Sequence, residues 1–323
     1  MQRRNLLAHL GAAGTLLAWP WLQACTPTPR LRLAIHPWIG YETLRLAQAF
    51  KWMTPSIELV SQKDLRASSQ ALESGEVDVA CLTLDEVLRI RATRVPLTVV
   101  LVFDISEGAD MVLAKPAIGS LSDLRGKRIG IEPGPLGALI LDKLLAAAHL
   151  TSDMVRVMEV SAEQHVDAWR NNAIDAVITY EPTATMLQRI GAYRLYDSRQ
   201  MPDMIFDVLA LRTDRLSGQQ GSLRALLAAH FRGLAHMSQY REDATYRIAA
   251  AQGMSPDEVR RALTGVMMPS LEANREYLQA EGARILPAAR SLSEVMLRTG
   301  LLSSADTLAD FCSATWLPGP PGG

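Results

Sequence analysis

The chain of 323 residues is predicted to be an α/β protein of two homologous halves followed by a helical annex. Three observations predict this: a repeated plan, short apolar runs alternating with helical patterns, and a purely helical pattern after Arg212. The repeat rests on three matches. Arg32-Leu33-Ala34-Ile35-His36-Pro37-Trp38-Ile39-Gly40-Tyr41-Glu42 aligns without gaps to Arg128-Ile129-Gly130-Ile131-Glu132-Pro133-Gly134-Pro135-Leu136-Gly137-Ala138, 96 positions on. Val77-Asp78-Val79-Ala80-Cys81 matches Ile174-Asp175-Ala176-Val177-Ile178 at an offset of 97, and Asp110–Lys115 matches Asp207–Arg212 at the same offset. One such match would be chance; three in the same order argue for duplication.

In the first half, strands are expected near 31–36, 57–61, 77–82 and 98–104, with helices near 41–52, 63–73 and 84–93. In the second, strands fall near 127–132, 155–160, 174–179 and 194–197, with helices near 136–149, 162–171 and 182–190. Apolar runs joined by helices signal mostly parallel sheets covered on both faces. Turn residues Ser74-Gly75 and Asn171-Asn172 close equivalent helices. Helices of the annex are expected at 220–240, 242–252, 255–265, 270–281 and 287–299, with Ser255-Pro256 as a start signal. The Pro- and Gly-rich stretch 317–323 reads as a disordered tail.

Composition is that of a globular protein, 48% hydrophobic and 21% charged, with a formal charge of −1. No basic stripe interleaved with aromatics points to nucleic acid, and a monomer is expected. At the N-terminus, Arg3 and Arg4 precede an apolar run from Leu6 to Leu22, and Leu22-Gln23-Ala24-Cys25 follows. Positive charge, apolar core and a small residue before the cleavage point make a secretory signal over 1–24. Leu22–Cys25 resembles the lipobox of bacterial lipoproteins, which implies acylation of Cys25 and a tether over 25–30. A plain signal peptide or an uncleaved anchor is the alternative, and Gln2–Leu7 also resembles a twin-arginine signal. The route of export stays open. Cys81 and Cys312 are expected to be free thiols.

These segments together resemble the periplasmic solute-binding proteins of nitrate/sulfonate/taurine importers. The resemblance spans about residues 31–310 and rests on His36–Glu42, Leu72–Asp78, Asp123–Gly130 and Ile174–Pro182. It implies a type II periplasmic binding fold, with two α/β lobes joined by two crossing hinge strands. Lobe I would comprise 31–107 and 204–316, and lobe II 108–203. It further implies a lipid-anchored periplasmic receptor that serves an ABC permease and its ATPase, with no cofactor and no metal. A sensor that hands its ligand to a signalling partner remains a second reading.

Ligands of open α/β sheets gather beyond the carboxyl ends of strands, so the repeat names candidate contacts. Lobe I offers His36, Trp38, Gly40, Tyr41, Thr83 and Asp85; lobe II offers Glu132, Gly134, Leu136, Gly137, Tyr180 and Glu181. Asp104, Asp110, Asp197 and Asp207 are expected to organise the hinge. The loop Gly134-Pro135-Leu136-Gly137-Ala138 has no hydroxyl, and Pro135 has no N–H to give an anion. Glu132, Glu181 and Asp85 outnumber cations there. The expected ligand is therefore neutral or cationic, such as a nitrogen heterocycle stacked on Trp38 or Tyr180; a sulfonate or nitrate anion is the alternative. No catalytic motif is present, and Glu132 with His36 is the one pairing that could serve an enzyme.

Overall fold

The structure, a computed structural model, describes residues 30–319; the expected signal peptide and Cys25 lie outside the described residues. The first lobe contains β1 (Leu31–Ile35), α1 (Glu42–Ala49), β2 (Ile57–Ser61), α2 (Leu65–Ser74), β3 (Val79–Thr83), α3 (Leu84–Ala92) and β4 (Leu97–Ser106). The second contains β5 (Met111–Ala114), β6 (Arg128–Ile131), α4 (Pro135–Ala148), β7 (Arg156–Glu159), α5 (His165–Arg170), β8 (Ala176–Thr179), α6 (Thr183–Arg189) and β9 (Tyr193–Asp197). The chain returns through β10 (Phe206–Arg212) to α7 (Gln220–Gln239), α8 (Arg241–Gln252), α9 (Pro256–Leu263), β11 (Val266–Met267), α10 (Leu271–Leu278) and α11 (Ile285–Arg298). The short strand β11 breaks what the sequence presents as a purely helical annex.

One sheet has the order β11-β4-β10-β3-β1-β2 and the other β7-β6-β8-β5-β9. Within each, four strands run in one sense and an inserted strand, β10 or β5, runs against its neighbours. Each inserted strand comes from the other half of the chain. The third repeat match, Asp110–Lys115 with Asp207–Arg212, is therefore a pair of exchanged strands.

The duplication reaches individual hydrogen bonds. The Arg32 amide donates to Asp78 Oδ2 at 2.9 Å, and the Asp78 amide donates back to the Arg32 carbonyl at 2.9 Å. In the second lobe Arg128 and Asp175 repeat both bonds, at 3.0 and 2.8 Å. The helix before each aspartate closes on a left-handed residue, Gly75 (φ 78°) and Asn172 (φ 53°).

Two chain segments cross between the lobes side by side. Ser106 N donates to Ile205 O at 3.0 Å, and Ser198 N to Asp110 O at 2.9 Å. The Ser106 and Ser198 hydroxyls meet at 2.8 Å, and the latter accepts from Gly108 N at 2.6 Å. Asp197 caps the turn that follows it and holds Arg199 through Nε at 2.9 Å.

The outer edge of β4 is covered in three places. β11 pairs near Ile105, the Asn274 amide bonds both the N–H and C=O of Val102, and the C-terminal segment brackets Val99 from Phe311 and Ser313. That segment corrects the expected disordered tail: Leu317 is buried and Pro318 O accepts from Arg275, so packing extends to there. Cys81 is buried, Cys312 partly so, and both are free. Among the described residues no helix is long and apolar enough to cross a membrane.

Candidate functional site

The carboxyl ends of β1, β3, β6 and β8 deliver their loops to one cleft. Two small voids of about 10 and about 20 Å³ lie in it. His36, Trp38, Leu65, Thr83, Asp110, Leu136, Tyr180 and Asp207 line the first. Leu65, Arg66, Asp110, Glu132, Gly134, Leu136, Gly137, Ile178 and Tyr180 are among those lining the second. Voids of that size hold a water or two. The lobes meet here, the Trp38 and Tyr180 rings standing edge to face at 5.7 Å; within the second lobe Tyr180 OH donates to Glu132 Oε2 at 2.9 Å. Lys63–Glu163 at 3.5 Å, Arg298–Asp142 at 3.4 Å and the Arg189–Glu258 pair tie the lobes further out.

The floor is acidic. Trp38 Nε1 donates to Asp104 Oδ2 at 3.1 Å, and Tyr41 OH donates to Asp207 Oδ1. Asp104 and Asp207 are register partners on β4 and β10. A Cβ on Gly40 would stand 1.8 Å from Asp104 Oδ2, so only glycine lets the indole and carboxylate close over this turn. Burial pushes Asp104 up to about 8, Asp85 to about 7 and Asp110 to about 6, and raises Asp207 well above the usual carboxylate range. Burial likewise raises Glu132 to about 7 and lowers His36 to about 3. Thr83 Oγ1, both Asp85 carboxylate oxygens, Asp104 Oδ1, Asp110 Oδ2 and Glu132 Oε1 are buried without a well-aligned partner. Apart from the threonine hydroxyl, all of these are acceptors alone when ionised. Among the described residues no group of three or more His, Cys, Asp or Glu is arranged to hold a metal.

The expected contacts divide in two. His36, Trp38, Thr83, Glu132, Gly134, Leu136, Gly137 and Tyr180 line the cleft voids. Gly40, Tyr41, Asp85 and Glu181 do not: they stand behind the lining, and Glu181 Oε2 accepts from Thr185 N at 3.1 Å to cap α6. His36 Nδ1 is engaged with Ser68 Oγ at 3.0 Å and Glu132 with Tyr180, so these two share no hydrogen bond. Leu65 and Arg66, at the start of α2, line the cleft unanticipated; the strand-end rule applied to β2 finds them. Asp110 and Asp207, expected chiefly at the hinge, also face the void. A larger cavity, about 970 Å³, lies at the opposite end of the first lobe near Arg91, Thr98 and Trp316. There Arg91 is already held by Asp306 at 2.7 Å.

A family model described as NMT1/THI5 like matches residues 55–244, more than half of the chain. The chain belongs to the NMT1/THI5-like family. Members of the curated set in Brucella abortus and Brucella suis, whose names describe them as binding proteins, are 32% identical over 74 residues. That span covers 23% of this chain and 23% of theirs. Among solved structures, this NMT1/THI5-like chain is similar to the alkanesulfonate-binding protein SsuA of Xanthomonas axonopodis pv. citri bound to MOPS. The TM-score is 0.71 at 17% identity, over 90% of this chain and 98% of that one. A ligand-binding component of an ABC-type import system from Staphylococcus aureus gives 0.73 at 15% identity, covering 89% and 97%. The nitrate-binding protein NrtA of Synechocystis gives 0.61 at 13% identity, covering 73% and 70%. At such identities the likeness establishes the fold: two α/β lobes of the type II periplasmic binding class.

Proposed function

We propose that this chain is the solute-binding component of an ABC importer, capturing a small organic solute between its lobes in the periplasm and delivering it to a membrane permease. The observation that carries this reading is a cleft walled by both lobes, where Trp38 meets Tyr180. Contacts made by both lobes only when shut would couple occupancy to closure. A solute larger than a water or two enters only by parting Trp38 from Tyr180.

The ligand we infer is neutral or cationic and rich in donors, in keeping with a nitrogen heterocycle set against Trp38 or Tyr180. The unpartnered acceptors support this, as does the exposure of Arg66, the only cationic side chain lining the two voids. A sulfonate or nitrate would bring negative charge beside Asp110, the cleft carboxyl raised only to about 6. The sequence around Cys25 supports acylation, which would hold the receptor near its permease.

Mass spectrometry of a ligand retained through purification tests the reading, with a small nitrogenous compound expected. Tight calorimetric binding of taurine or an alkanesulfonate, with none of amines or pyrimidines, would refute the ligand class.

A further inference from the structure

The structure assigns Asp110 as the residue that receives the ligand's cationic group, in the place that Tyr41 fills for Asp207 in the other lobe. This deepens the receptor reading and rests on it.

The argument is one of pseudo-symmetry. Asp110 and Asp207 are repeat equivalents, 97 positions apart, each just at the head of an exchanged antiparallel strand. Both are at most 3% exposed. In the first lobe the aspartate is satisfied, because Tyr41 OH donates to Asp207 Oδ1. The repeat equivalent of Tyr41 in the second lobe is Gly137. No larger residue fits there without a shift, since a Cβ on Gly137 would stand 2.6 Å from the Glu132 carbonyl oxygen. That position therefore offers no hydroxyl, and although Ser106 lies against the Asp110 carboxyl, its Oδ2 is left buried without a donor.

A buried acceptor without a partner is costly, of order 1–3 kcal/mol and more when charged. Asp110 also lines both voids of the cleft, and Thr83 lines the first beside it. Tyr180, Leu65 and Leu136 form walls common to the two voids. The matching ligand is compact and flat, with a cationic multi-donor group such as an amidinium on Asp110 and an apolar body against Leu65, Leu136 and Tyr180.

Asp110 does a second thing. It sits on a crossing segment, its carbonyl accepting from Ser198 N and its amide donating to Ser106 Oγ at 3.1 Å. A cation seated on its carboxylate is thus bound to the hinge itself.

Three isosteres of different charge test the assignment by calorimetry on the mature protein: benzamidinium, neutral benzamide and anionic benzenesulfonate. Wild type is expected to bind benzamidinium at least tenfold more tightly than benzamide. Asp110→Asn should remove that preference. A wild type that prefers benzamide or benzenesulfonate, or binds none of the three, overturns the assignment without recourse to any variant. Retention of the benzamidinium preference in Asp110→Asn, with loss of all binding in Trp38→Ala, also overturns it while leaving the interlobe receptor standing.

Discussion

At the start of β1 and of β6 each lobe ties an arginine amide to the aspartate just before a neighbouring strand, and a few residues later the copies part company. The first lobe continues His36-Pro37-Trp38 and brings two rings to the cleft, backed by Asp104 and Asp207. The second continues Glu132-Pro133-Gly134 and brings a carboxylate, an apolar Leu136 and bare backbone. Duplication preserved the bonds that set strand against strand and let the strand-end loops diverge. The difference separates two duties: shared positions hold the sheets, and divergent ones build an asymmetric, electronegative cleft.

That contrast gives its largest expected effect at Trp38. Trp38→Ala removes the ring that meets Tyr180 and should weaken binding of the retained ligand at least tenfold, about 1.4 kcal/mol or more, with the circular dichroism spectrum intact. Unchanged affinity would move the site elsewhere. The shared clamp should behave oppositely. Asp78→Ala and Asp175→Ala each orphan a strand amide and should each cost about 1–3 kcal/mol in denaturant unfolding. If one copy costs nothing, the clamps are not equivalent in energy despite their geometry.

Stability against pH sharpens the comparison. Asp85, Asp104, Asp110 and Glu132 are raised by burial to between about 6 and about 8. A raised carboxyl favours the fold fully below its ordinary value near 4, and that contribution is lost as pH climbs through the folded value. His36, His165 and His230 are lowered to about 3 or 4, so their contribution is present above about 6.5 and is lost on acidification. The two trends oppose below about 6.5 and only the carboxyl loss remains above it. The melting temperature of ligand-free protein should therefore fall between about pH 6.5 and 8.5, and a flat or rising profile there would count against a buried acidic floor. The smallest effect is expected of single aspartates. At pH 8 Asp110→Asn should raise the ligand-free melting temperature by about 2–4 °C, the shift produced by about 1 kcal/mol in a domain of this size.

Much of this was legible in the sequence because the repeat aligns positions as well as elements. Gly75 and Asn172 mark equivalent helix ends, and the strands follow from apolar runs that must be buried on two faces. Lining residues His36, Trp38, Glu132 and Tyr180 follow from the strand-end rule. What was illegible depends on long-range geometry. Sequence could not reveal that Tyr41 turns back to Asp207, because the partners lie 166 positions apart; the Glu181 cap on Thr185 N, four residues on, is local, and there the strand-end rule named a cleft contact where a helix cap stands. Asp110 reads as a hinge residue because its strand crosses between lobes; only the exchange of β5 and β10 turns both aspartates toward the cleft. The cover over β4 was equally hidden, since Asn274 serves as a strand by its side chain alone.

The distance between the lobes tests the central claim most directly. Spin labels at Gln70→Cys and Glu163→Cys, exposed positions near the mouth of the cleft, can be followed by pulsed electron resonance in a Cys312→Ser background. With benzamidinium bound, the account predicts that the distance distribution narrows relative to that of the ligand-free protein, as a ligand held by both lobes fixes their separation. An identical distribution at saturating benzamidinium would mean that its binding does not engage both lobes, and would contradict capture by closure.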